Sequence, residues 1–191
     1  VNDVPSFTSG GDVTVLEDAG SQTVTGWATA ISSGPANEAG QVLSFQVTGN
    51  TNAALFNGNV TVDAGSGDLT FTPADDANGT ADITLVLGDD GGVANGGVDT
   101  SGSQTFRITV TSVNDVPSFT SGGDVTVQED AGSQTVTGWA TGISSGPANE
   151  AGQVLSFQVT GNTNAALFNG NVTVDAGSGD LTFTPADDAN G

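Results

Sequence analysis

This 191-residue chain has no cysteine, histidine, lysine, methionine or tyrosine, and its single basic residue is Arg107. Without cysteine there is no disulfide framework, thiol nucleophile or zinc–thiolate site. Without histidine or lysine a serine nucleophile lacks its usual bases, and imidazole metal sites are excluded. Twenty-two acidic residues against one basic residue give a net charge of −21. Nucleic acid and anionic membrane surfaces both require basic patches, so neither is expected as a partner. Carboxylates are the only acid–base groups left. A two-carboxylate hydrolase is therefore the one catalytic reading still open, and no enzymatic activity is expected. The metals that suit such a chain are hard ions bound through oxygen, above all calcium. No apolar run approaches membrane-spanning length and no signal peptide is recognisable. The chain starts without Met inside a repeat array, so it reads as a piece of a longer protein.

What the sequence does contain is a long repeat. The peptide V-N-D-V-P-S-F at Val1–Phe7 returns at Val113–Phe119, a period of 112 residues. Over Val1–Gly79 the copies differ at two positions, Leu16 against Gln128 and Ala30 against Gly142. A period this long, filled with strand-like segments, describes a string of domains rather than a solenoid. The expected division is a complete domain over 1–112 and a second copy over 113–191, which has no counterpart to Thr80–Ser112. That copy admits three accounts: a simple cut, strands donated by a neighbouring molecule, or a closed unit running over Thr80–Gly191. A plain domain starting at Val1 is favoured, because proline-bearing linkers usually sit between domains.

Apolar residues alternate with Thr and Ser in short runs bounded by Gly, Asn, Asp and Pro, the pattern of an all-β sandwich. Strands are expected at Ser6–Phe7 with Asp12–Leu16, Thr23–Ile31, Val42–Thr48, Asn59–Val62, Leu69–Pro73, Ala81–Leu87 and Thr105–Thr111. The fold class expected is tandem seven-stranded Greek-key β-sandwiches of the Ig-like kind. If Val13 and Val15 face the core, position 16 faces solvent, and exchanging Leu16 for Gln128 costs little. Trp27 and Trp139 read as core aromatics, with a sugar-stacking platform as the alternative. The Thr rows read as solvated strand faces, since an ice-binding lattice needs longer, flatter strands.

Alternating loops of an up-and-down sandwich collect acidic residues at both ends of each domain. Asn2, Asp3, Glu38, Asp63, Asp68, Asp89, Asp90 and Asp99 fall at the leading end. Glu17, Asp18, Asp75, Asp76 and Asn78 fall at the trailing end, beside the linker. At the joint between copies three sets of oxygens should converge: Glu17, Asp18, Asp75 and Asp76 from one domain, Asn114 and Asp115 in the linker, and Glu150, Asp175 and Asp180 from the next. Carboxylates crowded together repel unless a cation neutralises them. Calcium accepts about six to eight oxygens in flexible geometry, which suits a site assembled from loops. Two shorter motifs are decoys. G-S-G-D-L at Gly65–Leu69 lacks the spacing of a β-roll calcium repeat, and D-D-A-N-G at Asp75–Gly79 lacks the terminal Glu and helices of an EF-hand.

The linker V-N-D-V-P-S-F, the V-L-E-D-A-G segment at Val15–Gly20 and the G-D-D-G-G segment at Gly88–Gly92 resemble bacterial cadherin-like domains, in particular the extender repeats of giant repeats-in-toxin and biofilm-associated adhesins. The resemblance covers the first copy and all of the second. It implies calcium at the joints, with Asn114 and Asp115 as linker ligands, Glu17 as the early Glu, and Asp89 and Asp90 as a pair after the sixth strand. The cadherin linker form D-x-N-D-N-x-P is changed here at Thr111 or Ser112 and at Val116, so one or two ions per joint are expected. It also implies a secreted spacer on the bacterial cell surface that projects an adhesive tip. Its partners would be neighbouring copies of the same repeat, with no obligate oligomer. The rival function is a carbohydrate-binding module using Trp27 or the Gly-rich sixth loop.

Overall fold

The computed structural model describes residues 1–191, which divide into two units, Val1–Val113 and Asn114–Gly191. In the first unit, the strictly alternating segments become the longest strands. Strand β8 (Gly79–Gly88) buries Ala81, Ile83, Leu85 and Leu87, and β9 (Gln104–Thr111) buries Phe106, Ile108 and Val110. Their outward positions carry Asp82, Thr84, Arg107 and Thr109. A two-residue side-chain period sends one set to the core and the other to the surface. These two strands form the centre of a four-stranded sheet. On one side β9 pairs in parallel with β2 (Val13–Leu16), and on the other β8 pairs antiparallel with β5 (Ser44–Asn50).

A three-stranded sheet of β3 (Gln22–Val24), β7 (Leu69–Phe71) and β6 (Thr61–Val62) supplies Leu69, Phe71 and Val62 to the same core, and a short pair joins β1 (Ser6–Thr8) to β4 (Thr29–Ser32). The architecture is all-β. Seven expected strands become nine segments because two of them each break. Ser6–Phe7 and Asp12–Leu16 join different sheets, and Thr23–Ile31 splits at Gly26–Trp27. Trp27 fills that break. It is buried, its ring lies 4.3 Å from that of Phe106, and its Nε1–H donates to the Gly11 carbonyl at 3.0 Å. A side chain on Gly10 would collide with the same ring, so glycine there is required by close approach.

The two positions that differ between copies both have physical explanations. Leu16 is 56% exposed while Val13 and Val15 pack against the core, so Gln at its counterpart buries no amide. Ala30 has a φ of 50°, at the point where β1 and β4 slip register by one residue, and its counterpart Gly142 has a φ of 58°. A β-bulge with left-handed backbone favours glycine, and alanine there is strained by about 1 kcal/mol. Ala30→Gly is therefore expected to stabilise the first unit by about 0.5 kcal/mol, after allowing for the greater freedom of glycine in the unfolded chain. Thermal melting checks this, and Gly142→Ala should shift the second unit in the opposite direction.

The second unit repeats part of this arrangement. Strands β10 (Ser118–Thr120) and β12 (Thr141–Ser144) pair, as do β11 (Gln134–Val136), β14 (Leu181–Phe183) and β13 (Thr173–Val174). Residues 125–128 and 156–162, equivalent to β2 and β5, form no strand.

Candidate metal centre

At the trailing end of the first unit, β2 runs directly into Glu17 and Asp18. Glu17 is 2% exposed, a fully buried carboxylate. Its Oε1 accepts the Val113 N–H at 2.6 Å and its Oε2 accepts from the Asn78 amide at 3.3 Å. Burial of a charge is tolerable only with such partners. Asp18 and Asp76 both adopt left-handed backbone, with φ of 59° and 55°, a conformation Asp tolerates better than most residues. In it, Asp18 Oδ1 accepts the Asp76 N–H at 3.0 Å, and carboxylate oxygens of the two residues lie within 4.8 Å of each other. Asp75 is exposed on the same turn.

The leading end is built around Asn2. Its amide donates to Asp89 Oδ1 at 2.8 Å and to the Val98 carbonyl at 2.9 Å, while its own oxygen accepts from Gln41 at 2.6 Å. The Asp3 N–H is shared by both oxygens of buried Glu38 at 3.1 and 3.2 Å. Asp89 Oδ1 also accepts the Gly91 N–H, and Asp90 Oδ1 accepts the Val42 N–H, each at 2.9 Å. Gly91 lies so close to Asn2 and Gln41 that any side chain there would overlap both. In the second unit the Asp115 N–H donates to Glu150 Oε1 at 2.8 Å, and Gln153 donates to Asn114 Oδ1 at 2.9 Å.

Three buried oxygens in these clusters have no hydrogen-bond partner: Gln41 Oε1, Asp89 Oδ2 and Glu150 Oε2. Arg107, the only basic side chain, is engaged elsewhere, in a two-pronged pair with Asp82 (Nε–Oδ1 2.7 Å, Nη2–Oδ2 3.0 Å). Its hydrogen bond holds the Asp82 carboxyl below its usual range. No basic side chain is therefore left for the acidic ends. Oxygen acceptors without donors and without a basic partner fit a hard divalent ion.

The structure thus joins Asn2 with Asp89, Asp3 with Glu38, Asp18 with Asp76, and Asp115 with Glu150. It uses Asp175 and Asp180 differently. Asp175 Oδ1 accepts the Gly177 N–H and both the N–H and hydroxyl of Ser178, and Asp180 Oδ1 accepts the Gly138 N–H at 2.7 Å. Asp63 and Asp68 do the same in the first unit, where the turn docks on Gly26 and Ala28. Each turn thus packs on the break between β3 and β4, or on its second-unit equivalent, where simple loop alternation places it with the leading loops. The Ser66 backbone and hydroxyl, and those of Ser178, lower the Asp63 and Asp175 carboxyls below their usual range. Sequence reasoning missed Gln41, because nothing in its local pattern marks an amide that will hold the linker asparagine.

Trp27 offers no face for a sugar, since its ring is buried and its N–H is taken. No family model and no curated protein matches the chain. Among solved structures, the ectodomain of human desmocollin-1 superposes with a TM-score of 0.51 at 15% identity, covering 95% of this chain. The fold is cadherin-like. The chain spans about a third of that structure's length (34%), and the likeness concerns fold alone. No helix is long and apolar enough to cross a membrane.

Proposed function

We propose that the chain is a structural spacer of a secreted bacterial surface adhesin, related in role to the extender repeats it resembles, with joints stiffened by calcium. The observation that carries this reading is the grip of buried Glu17 on the Val113 N–H, which fixes the first linker residue at the acidic trailing end. Asp115 follows two residues later, and two residues of extended chain span at most about 7 Å. Glu17, Asp18, Asp75 and Asp76, with linker Asn114 and Asp115 and with Glu150, are the residues that would hold the ion. Asp89 and Asp90, beside Asn2 and Asp3, would serve the preceding joint. Calcium supplies charge neutralisation where carboxylates otherwise repel, and it converts a short flexible peptide into a rigid connection. The cadherin-like fold and the near identity of the copies support repetitive spacing at the cell surface, with neighbouring copies as the partners.

Calorimetric titration of calcium tests this. The wild-type chain should bind calcium, and the double variant Asp18→Asn/Asp76→Asn should bind at least about tenfold more weakly, one pair of charged ligands being worth upward of ~1.4 kcal/mol. Absence of any binding to the wild type removes the metal from the account.

A further inference from the structure

Strand β5 is the longest edge strand of the first unit. It spans seven residues, and in the order β2-β9-β8-β5 no strand pairs with its outer side. Two contacts of β8 fix which backbone groups of β5 are free. On the side of β8 away from β5, the Ser101 N–H donates to the Leu87 carbonyl at 2.8 Å; on the side toward β5, the Thr51 N–H donates to the Asp82 carbonyl at 3.1 Å. The even-numbered residues of β8 therefore bond to β5, and across the ladder Gly88 and Val86 meet Ser44 and Gln46. The N–H and C=O groups of Phe45 and Val47 are left pointing out of the sheet edge. Their side chains face the core. The Phe45 ring lies edge-on to Phe7 with centroids 4.9 Å apart, and both residues line a groove of about 410 Å³, with Val60, Val62 and Leu85, that opens between β5 and β6.

Charge and symmetry point to what covers this edge. Residues 39–62, which include β5 and β6, carry no charged side chain in a chain of net charge −21. The other free edge of the same sheet, β2, is flanked by Asp12, Glu17 and Asp18. Charges, short strands and bulges are the devices that keep sheet edges from pairing. The bulge of β5 falls between Val47 and Gly49, which leaves 44–47 in regular register. We propose that the first unit pairs with the first unit of another molecule of this chain, β5 against β5, antiparallel about a two-fold axis at Gln46. Phe45 of each molecule then exchanges both backbone hydrogen bonds with Val47 of the other. On the inner face this register sets each phenyl ring beside a valine at the mouth of the groove, a favourable aromatic–β-branched pair. On the outer face it sets Gln46 against Gln46, both exposed and uncharged. A closed two-fold pair requires such self-complementarity, and a peptide of unrelated sequence does not supply it. The acidic surface elsewhere repels its like, so the pairing strengthens as salt screens that repulsion. It uses no residue of the acidic ends and does not depend on calcium.

Sedimentation of the 191-residue chain in chelator, at about 0.15 M and about 0.5 M salt, tests this. The wild type should show a reversible monomer–dimer equilibrium, tighter at the higher salt. Gln46→Glu and Gln46→Lys each place like charges directly opposite one another across the axis, and each should dimerise about fivefold more weakly at the lower salt. The position is exposed, so neither change should alter the melting temperature. An equimolar mixture of the two variants should regain the wild-type level, because opposite charges then face each other. A wild type that stays monomeric up to about 1 mM at both salt concentrations overturns the proposal. So does association that the variants leave unchanged, which puts the contact on another surface. A mixture no tighter than the single variants also overturns it, since Gln46 then does not face its own counterpart.

Discussion

Replacing Ile108 by Ala is expected to destabilise the first unit by about 3 kcal/mol, the middle of the range for truncating a fully buried branched side chain. Ile108 is completely buried on β9, with Val13 opposite it on β2 and Ala81 opposite it on β8. Strands on both sides leave little room for collapse, so the deleted methyl groups leave a cavity. For a domain of this size the melting temperature of the first unit should fall on the order of 10–20 °C. Leu16→Gln is the natural control, since the second copy already carries the change, and it should stay within about 0.5 kcal/mol of the parent. Scanning calorimetry of both variants checks the expectation. A small shift for Ile108→Ala would mean that the β8–β9 pair is not the centre of the core.

Glu17→Ala is the second large effect. The substitution leaves the Val113 N–H and the Asn78 amide without their acceptor. Hydrogen bonds to a charged group contribute about 1.5–3 kcal/mol each, and a combined loss of about 3 kcal/mol is expected by thermal or urea unfolding. Glu17→Gln separates shape from charge. Its remaining oxygen still serves Val113, but its new amide faces the Asn78 amide, so part of the loss persists. Removing one negative charge from the group of Glu17, Asp18, Asp75 and Asp76 also relieves repulsion. Glu17→Gln should therefore cost less in chelator than in calcium. Equal cost in both media would assign Glu17 to the fold alone, with no share in an ion.

Much of this was legible before any coordinates. The alternation in Ala81–Leu87 and Thr105–Thr111 marks the central strands because a period of two with one buried face admits little else. The Leu16/Gln128 exchange marks the register. The acidic ends were legible as a trend, since only loops collect so many Asp, Asn and Gly residues. What was not legible depends on non-local contact. Thr23–Ile31 reads as one strand, and only the burial of Trp27 against Phe106 shows why the chain bends there and changes sheets. The D-A-G-S-G-D turn of the second copy reads as a source of ligands for the joint, yet Asp175 is occupied by Ser178 in its own turn, as Asp63 is by Ser66 in the first copy. Aspartate that folds back on its own backbone has the same sequence signature as aspartate awaiting a metal.

The most direct test is small-angle scattering of a chain with two complete copies, residues 80–113 being appended after Gly191. It should be measured in calcium, then in chelator, then in calcium again. The account predicts a longer maximum dimension and a rigid profile in calcium, loss of both on chelation, and full recovery. A scattering profile and a melting temperature that ignore calcium would contradict it, leaving the acidic ends as a solvated surface on a cadherin-like fold.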